Sequence, residues 1–326
     1  MSLVPLRSRV FNIPASAPFL PTLVRVLVEG RLVAGFEPRR DPASLACATL
    51  YLSTRRACRL VREVFLQVLE TDAAVLPRIV ALGDIDEDEI AFAEAAAGAA
   101  AKDALELPPT IGALERRMLL ARLVLHWAEQ MRPGPGSPPL VVHSPAAAVA
   151  LADDLARLID DMTTREVPWE QLDRLVPEDV DQYWQLTLQF LKKIAREAWP
   201  RILAERQAIE PAARRDLLIN AEAARLASVS AGPVIAAGST GSMPATAKLL
   251  ATIAALPHGA VVLPGLDADL DEPSWELISG TRDETGDEVL APASGHPQFS
   301  MNALLARMGV LRKAVIALAH PQPHGR

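Results

Sequence analysis

The stretch ATLYLSTRRACRLVREVFLQVL, Ala48 to Leu69, carries the reading of the fold. Its first five residues, Ala48 to Leu52, are an apolar run of strand length, and from Arg55 to Leu69 the chain reads as a helix. A strand passing directly into a helix is the unit of a parallel sheet, because parallel neighbours need a crossover that returns the chain to the same edge. Two further segments repeat the pattern. Arg9 to Ile13 (RVFNI) reads as a strand before a helix, Pro18 to Glu29, opened by proline, and Arg78 to Leu82 (RIVAL) as a strand ending at Gly83-Asp84. The expected class is therefore α/β with a parallel sheet.

The middle of the chain changes character. From about Asp86 to Ala227 the pattern is almost wholly helical. Helices are predicted over Glu115 to Met131, from a Ser144-Pro145 cap through Asp161, over Glu178 to Glu205, and over Pro211 to Ser228, with Pro133 to Pro139 (PGPGSPP) as a loop. Strand-like runs then return at Pro233 to Ala237 (PVIAA) and Ala260 to Leu263 (AVVL), with a helix between them at Pro244 to Ala255. This return predicts a split α/β domain, 1–85 and 230–270, with a helical insertion at 86–229. Residues 271–326 read as a loop-rich tail, irregular over Ser279 to Pro297 and ending in a helix from Met301 to Ala319. There is no internal repeat.

Composition narrows the classes. Half the residues are hydrophobic and only 4 % aromatic, with Ala, Leu and Val carrying the apolar content, which favours helices. No apolar run reaches the ~18 residues of a membrane span, and Met1 to Arg9 is not followed by the apolar core of a secretory leader. Cys47 and Cys58 form no C-x-x-C pair and fit a reducing cytoplasm, the expected location. The net charge is −7, which argues against a uniformly basic nucleic-acid binder. Yet Met1 to Arg62 holds ten arginines against Glu29, Glu37 and Asp41, so positive charge is concentrated in the first fifth of the chain. Either those arginines bind phosphates or they lie on separate solvated faces.

A parallel sheet interrupted by helices is the plan of the first motor domain of superfamily 1 helicases, and a P-loop-like fold with a large helical insertion is the expectation. Such motors place G-x-x-x-x-G-K-[ST] after the first strand, whose N–H groups surround phosphates. Here Ile13 to Leu20 (IPASAPFL) has no glycine and no lysine, and Pro14 and Pro18 lack N–H groups altogether. The second element would be a strand ending in carboxylates that hold Mg²⁺. The best candidate runs into Gly238 to Pro244 (GSTGSMP) with no acid, so no ATP hydrolysis is expected. That turn reads either as an anion cradle or as a tight turn capped by Ser242 or Thr240. The pairs Asp153-Asp154 and Asp160-Asp161 read as a solvated helix face rather than a metal site, and His126-Trp127 as packing. No catalytic, nucleotide-binding or metal set is predicted.

Several stretches resemble the AddB family of α-proteobacterial type, the second subunit of a helicase–nuclease that repairs double-strand DNA breaks by homologous recombination. They are Val10 to Leu23, Thr49 to Ala57, Asp153 to Trp169, Tyr183 to Trp199, Ala237 to Leu249, Val261 to Trp275 and His296 to Gly309. The resemblance implies a pseudo-helicase, a motor fold without ATP chemistry that guides single-stranded DNA and contacts an AddA-type helicase–nuclease subunit. It also implies a fragment, since the family's Mg²⁺-dependent nuclease and the iron–sulfur cluster of some members have no counterpart here, and no cofactor is expected. In related helicases the turn after the second strand touches single-stranded DNA, and Ser53 to Ala57 holds that place. Thr54, Arg55 and Arg56 are the DNA-binding candidates, with a helix cap and solvated arginines as the alternative. A scaffold that holds AddA without touching DNA is the rival reading.

Overall fold

The computed structural model describes residues 9–83, 107–130, 144–174, 182–229, 232–282 and 288–319. The loop Pro133 to Pro139, Arg7, the start of the helical reading at Asp86 and the first residues of the Glu178 helix lie outside them. The chain divides into two compact units, Met1–Leu105 with Leu218–Arg326, and Glu106–Leu217. Among the described residues no helix is long and apolar enough to cross a membrane.

The first unit is α/β. Strands β1 (Val10–Ile13), β2 (Thr49–Leu52), β3 (Arg78–Ala81), β4 (Val234–Ala237), β5 (Gly259–Pro264) and β8 (Ile316–Ala317) form one parallel sheet in the order β3-β2-β4-β5-β1-β8. Helix α1 (Phe19–Val28) leads from β1 towards β2, and α2 (Arg55–Leu69) from β2 to β3. Helix α8 (Pro244–Ala255) leads from β4 to β5 in the opposite direction along the sheet. Right-handed crossovers made in opposite directions put their helices on opposite faces. Alternation along the strands follows this arrangement. Phe11, Ile13, Leu50, Leu52, Ile235, Ala237, Ala260 and Val262 share one core with α1 and α2. The residues between them, such as Tyr51, Ala236 and Val261, are equally buried on the other face, where α8 packs on β4 and β5. A sheet covered on both sides explains why its strands read as continuous apolar runs.

Helix α10 (Phe299–Met308) packs on α8. The predicted helix from Met301 to Ala319 is therefore corrected. It ends at Gly309, whose φ of 64° is the left-handed conformation that closes a helix, with Val310 N–H donating to Leu305 O at 3.0 Å. The chain then turns through Arg312–Ala314 and enters the sheet as β8 beside β1. Ser279 to Pro297 is likewise not wholly irregular. After α9 (Glu272–Ile278), β6 (Thr281–Arg282) and β7 (Glu288–Leu290) form an antiparallel pair.

The second unit is helical. Helices α3 (Ala113–Gln130) and α4 (Pro145–Thr164) pack together through Leu120, Val124, Trp127, Ala148, Ala152, Leu155 and Ile159. Ser144 caps α4 by accepting from Ala147 N–H at 3.2 Å. The long helix read over Glu178 to Glu205 is interrupted: α5 (Gln182–Lys193) passes through a π turn, Ile194–Ala198, into α6 (Trp199–Glu205). Pro200 supplies the reason, since it offers no N–H and its ring crowds the carbonyl one turn earlier. Helix α7 (Pro211–Val229) spans the division between the units. Ile209 accepts from Ile111 N–H and donates to Pro109 O, both at 3.0 Å, so the two ends of this unit lie side by side.

Candidate nucleic-acid interface

Ligands of open parallel sheets bind beyond the carboxyl ends of the strands, where successive connections leave in opposite directions. In this sheet that point lies over β1, β5 and β4, where side chains tie the neighbouring loops together. Asn12, 5 % exposed, bridges the loop after β5, donating to Leu266 O and accepting from Leu266 N–H, each at 2.8 Å. Gln298 holds the same loop by donating to Gly265 O and accepting from Asp267 N–H, both at 3.1 Å. After β4, Gly238 adopts φ 77° and lies so close to the Phe19 ring that a Cβ there would be 3.2 Å from it. The loop after β1 thus ends in an aromatic side chain set against the turn after β4.

That turn is not capped as expected. Helix α8 starts with Met243 at its cap position and no side-chain acceptor, while the Ser239 hydroxyl accepts from Gly241 N–H at 3.2 Å. Pro244 accounts for this, because a proline in the first turn leaves one fewer N–H to satisfy.

The candidate residues lie along the same edge, after β2. Thr54 is in extended backbone, and its Oγ1 accepts from Ala57 N–H at 3.1 Å, capping α2. The cap uses an oxygen lone pair and leaves the hydroxyl proton for a further acceptor. Arg55 and Arg56 follow, both exposed, and the first turn of α2 contains no acid. Cations at a helix N-terminus oppose the macrodipole by roughly 0.3–1 kcal/mol each, an unfavourable placement that a bound anion reverses. The inward face of the helix carries Cys58, Val61 and Phe65, fully or nearly buried against the sheet. That burial turns Arg55, Arg59 and Arg62 onto one outward flank, where they line a cleft of about 240 Å³ with Cys58 and β3. Arg59 and Arg62 were not among the sequence candidates. Their spacing, four residues from Arg55 to Arg59 and three more to Arg62, was the available signal.

The acidic pairs have a structural use beyond a solvated face. Asp160 receives two hydrogen bonds from Arg116, at 2.9 and 3.1 Å, and Asp153 one from Arg117 at 2.6 Å, which tie α4 to α3. Asp154 pairs with Arg157. Trp127 is buried with its ring centroid 4.1 Å from that of Phe190, as packing predicted, and His126 meets Gln130 at 3.0 Å. Among the described residues no three His, Cys, Asp or Glu side chains gather as a metal site would require.

Each unit also buries a charged network. On the face of β2 away from α2, the Tyr51 hydroxyl donates to Glu222, which also accepts from Arg225 Nε and Nη2 at 2.6 and 2.7 Å. Burial alone would raise the Glu222 carboxyl, but the Arg225 pair and the Tyr51 donor outweigh it and hold it below the ordinary glutamate range. Burial raises the Tyr51 phenol well above its usual value. In the helical unit Glu210 accepts from Trp199 Nε1 and lies 2.9 Å from Arg116 Nε, out of line for a good hydrogen bond. Burial raises its carboxyl, Arg116 and Trp199 only partly offset that, and Asp160 adds to it. No protein-family model matches this chain, and no curated protein matches it.

Proposed function

We propose that this chain is a non-catalytic, helicase-like module of the AddB kind, with a P-loop-like α/β domain and a helical insertion. It guides single-stranded DNA along the carboxyl edge of the sheet and contacts an AddA-type motor subunit. One observation carries the reading: on a single edge, Asn12 and Gln298 hold the loop after β5 and Phe19 closes on Gly238, while the start of α2 presents exposed arginines. The loop after β1 carries neither the lysine nor the glycines that would hold a nucleotide's phosphates. A phosphodiester backbone needs only donors and positive charge at the surface, and Thr54, Arg55 and Arg56 supply both. The basic face sits on a protein of net charge −7, which restricts attraction to that face because charges farther away are screened within ~10 Å.

The test is fluorescence anisotropy with a labelled oligo-dT across a salt series, with ATP turnover assayed in parallel. Salt-sensitive binding without turnover is expected. Arg55→Glu/Arg56→Glu should weaken binding at least tenfold while leaving capture of an AddA-type subunit intact. ATP turnover sinks the non-catalytic reading. Absence of binding at low salt by folded protein leaves a scaffold that holds its partner without DNA.

A further inference from the structure

We infer that the cleft between the flank of α2 and the outer edge of β3 is a groove for the phosphodiester backbone of single-stranded nucleic acid, with Arg59 and Arg62 as its cationic wall. The inference rests on the DNA-guiding function proposed above and adds two side chains, Arg59 and Arg62, to its Arg55.

Three observations support it. The described residues lining the cleft are Arg55, Cys58, Arg59 and Arg62 from α2 and Ile79, Val80 and Ala81 from β3, with three guanidinium groups and no carboxylate among them. All three arginines are exposed, on a helix whose 1.5 Å rise per residue spreads them over about 10 Å. They therefore form a row rather than a point, which suits a chain of phosphates better than a single anion. The facing wall contributes donors as well. Arg78 and Leu82 direct their N–H groups to Ala48 O and Leu52 O of the β2 segment, at 2.9 and 2.8 Å. Strand alternation then turns the N–H groups of Ile79 and Ala81 outward, and no described strand pairs with that edge.

An acidic peptide adding a strand to β3 is the main competitor. Only two residues of this four-residue strand turn their main chain outward, too few to hold an added strand in register. The arginines, by contrast, continue past the end of β3 to Arg55 and Arg56 at the carboxyl edge of the sheet. A strand of nucleic acid lying in the groove runs out onto the turn after β2, so the cleft extends one track rather than forming a second site.

The experiment measures oligo-dT affinity of the full chain against salt for Arg59→Gln/Arg62→Gln, Arg59→Lys/Arg62→Lys and the Arg55→Glu/Arg56→Glu variant. Each phosphate contact to a single strand contributes about 0.7 to the log–log slope, so losing two should flatten it by about 1.4 and weaken binding roughly tenfold at 0.15 M salt. The lysine variant keeps the charge and should restore most of the slope, which separates charge loss from misfolding. Wild-type affinity and slope in the glutamine variant, with binding lost in Arg55→Glu/Arg56→Glu, overturns the groove and leaves the DNA-guiding function standing. Failure of the unmodified chain to bind oligo-dT at low salt defeats both. Polyglutamate competing as well as unlabelled oligo-dT overturns the groove in favour of an acidic protein segment.

Discussion

The α/β unit and the helical unit each bury a glutamate against an arginine and an aromatic donor, and the two carboxyls shift in opposite directions. Glu222, 1 % exposed, takes both oxygens of its carboxylate to Arg225 and a further donor from Tyr51, and ionises more readily than a free glutamate. Glu210, 5 % exposed, faces an arginine whose two terminal nitrogens are committed to Asp160, and ionises less readily. Each cluster pairs a glutamate with an arginine and an aromatic donor, but Glu222 also feels Arg78 whereas Glu210 also feels Asp160, so geometry and neighbouring charge together set the sign. A buried carboxylate is stabilised when an arginine is given to it alone, fork to fork, and is left costly when that arginine is shared.

Glu222→Gln is the strongest way to break this comparison. Arg225 has a side chain only 10 % exposed and would be left without its counter-charge, which costs about 3–5 kcal/mol for a buried pair. Urea unfolding of the α/β unit, followed by hydrogen exchange of peptides from β2 and α7, checks this, and a loss below 1 kcal/mol would mean the pair is not the anchor described. Glu210→Gln should do far less. Arg116 keeps Asp160, the amide oxygen still accepts from Trp199, and a desolvated charge disappears, so a change within about 1 kcal/mol of zero is expected in the same assay on α3 and α6.

The smallest and most discriminating effect is in pH dependence. The lowered Glu222 contributes stability that is complete above the ordinary glutamate value of about 4.5 and is lost as pH falls through its depressed folded pKa. The raised Glu210 works the other way. It binds a proton more tightly when folded, so its unit gains stability as pH falls through the raised folded pKa, a gain complete by about 4.5. Unfolding measured peptide by peptide from pH 7 to well below the ordinary glutamate value, corrected for intrinsic exchange, should show the helical unit firming first and the α/β unit weakening afterwards. Parallel responses in both units would show that the two clusters do not differ as described.

Much of the fold was legible in the chain because local terms decide it. The apolar runs at Val10–Ile13, Thr49–Leu52, Arg78–Ala81, Val234–Ala237 and Gly259–Pro264 are strands where they were expected within a residue or two. β8 was missed because Ile316–Ala317 is two exposed residues, too short for any period, and becomes a strand only because β1 offers it an edge. The signs at Gly309 and Pro200 were present and were overridden by the helical pattern around them. For the candidate interface, Thr54, Arg55 and Arg56 were proposed from the resemblance, which puts a DNA contact in the turn after the second strand, whereas Arg59 and Arg62 required knowing which flank of α2 meets β3.

What the sequence alone determined is the class, a parallel α/β sheet interrupted by helices, and a loop after the first strand without the residues that hold phosphates. Both follow from residue type and period within a dozen positions. The tertiary structure decided the strand order, the meeting of Phe19 with Gly238, the Arg-lined cleft beside β3 and the pairing of Tyr51 with Glu222 across 171 residues. No local energy term connects such distant positions. They are brought together only when the two faces of the sheet are covered, and burial then makes each unpaired polar group too costly to leave without its partner.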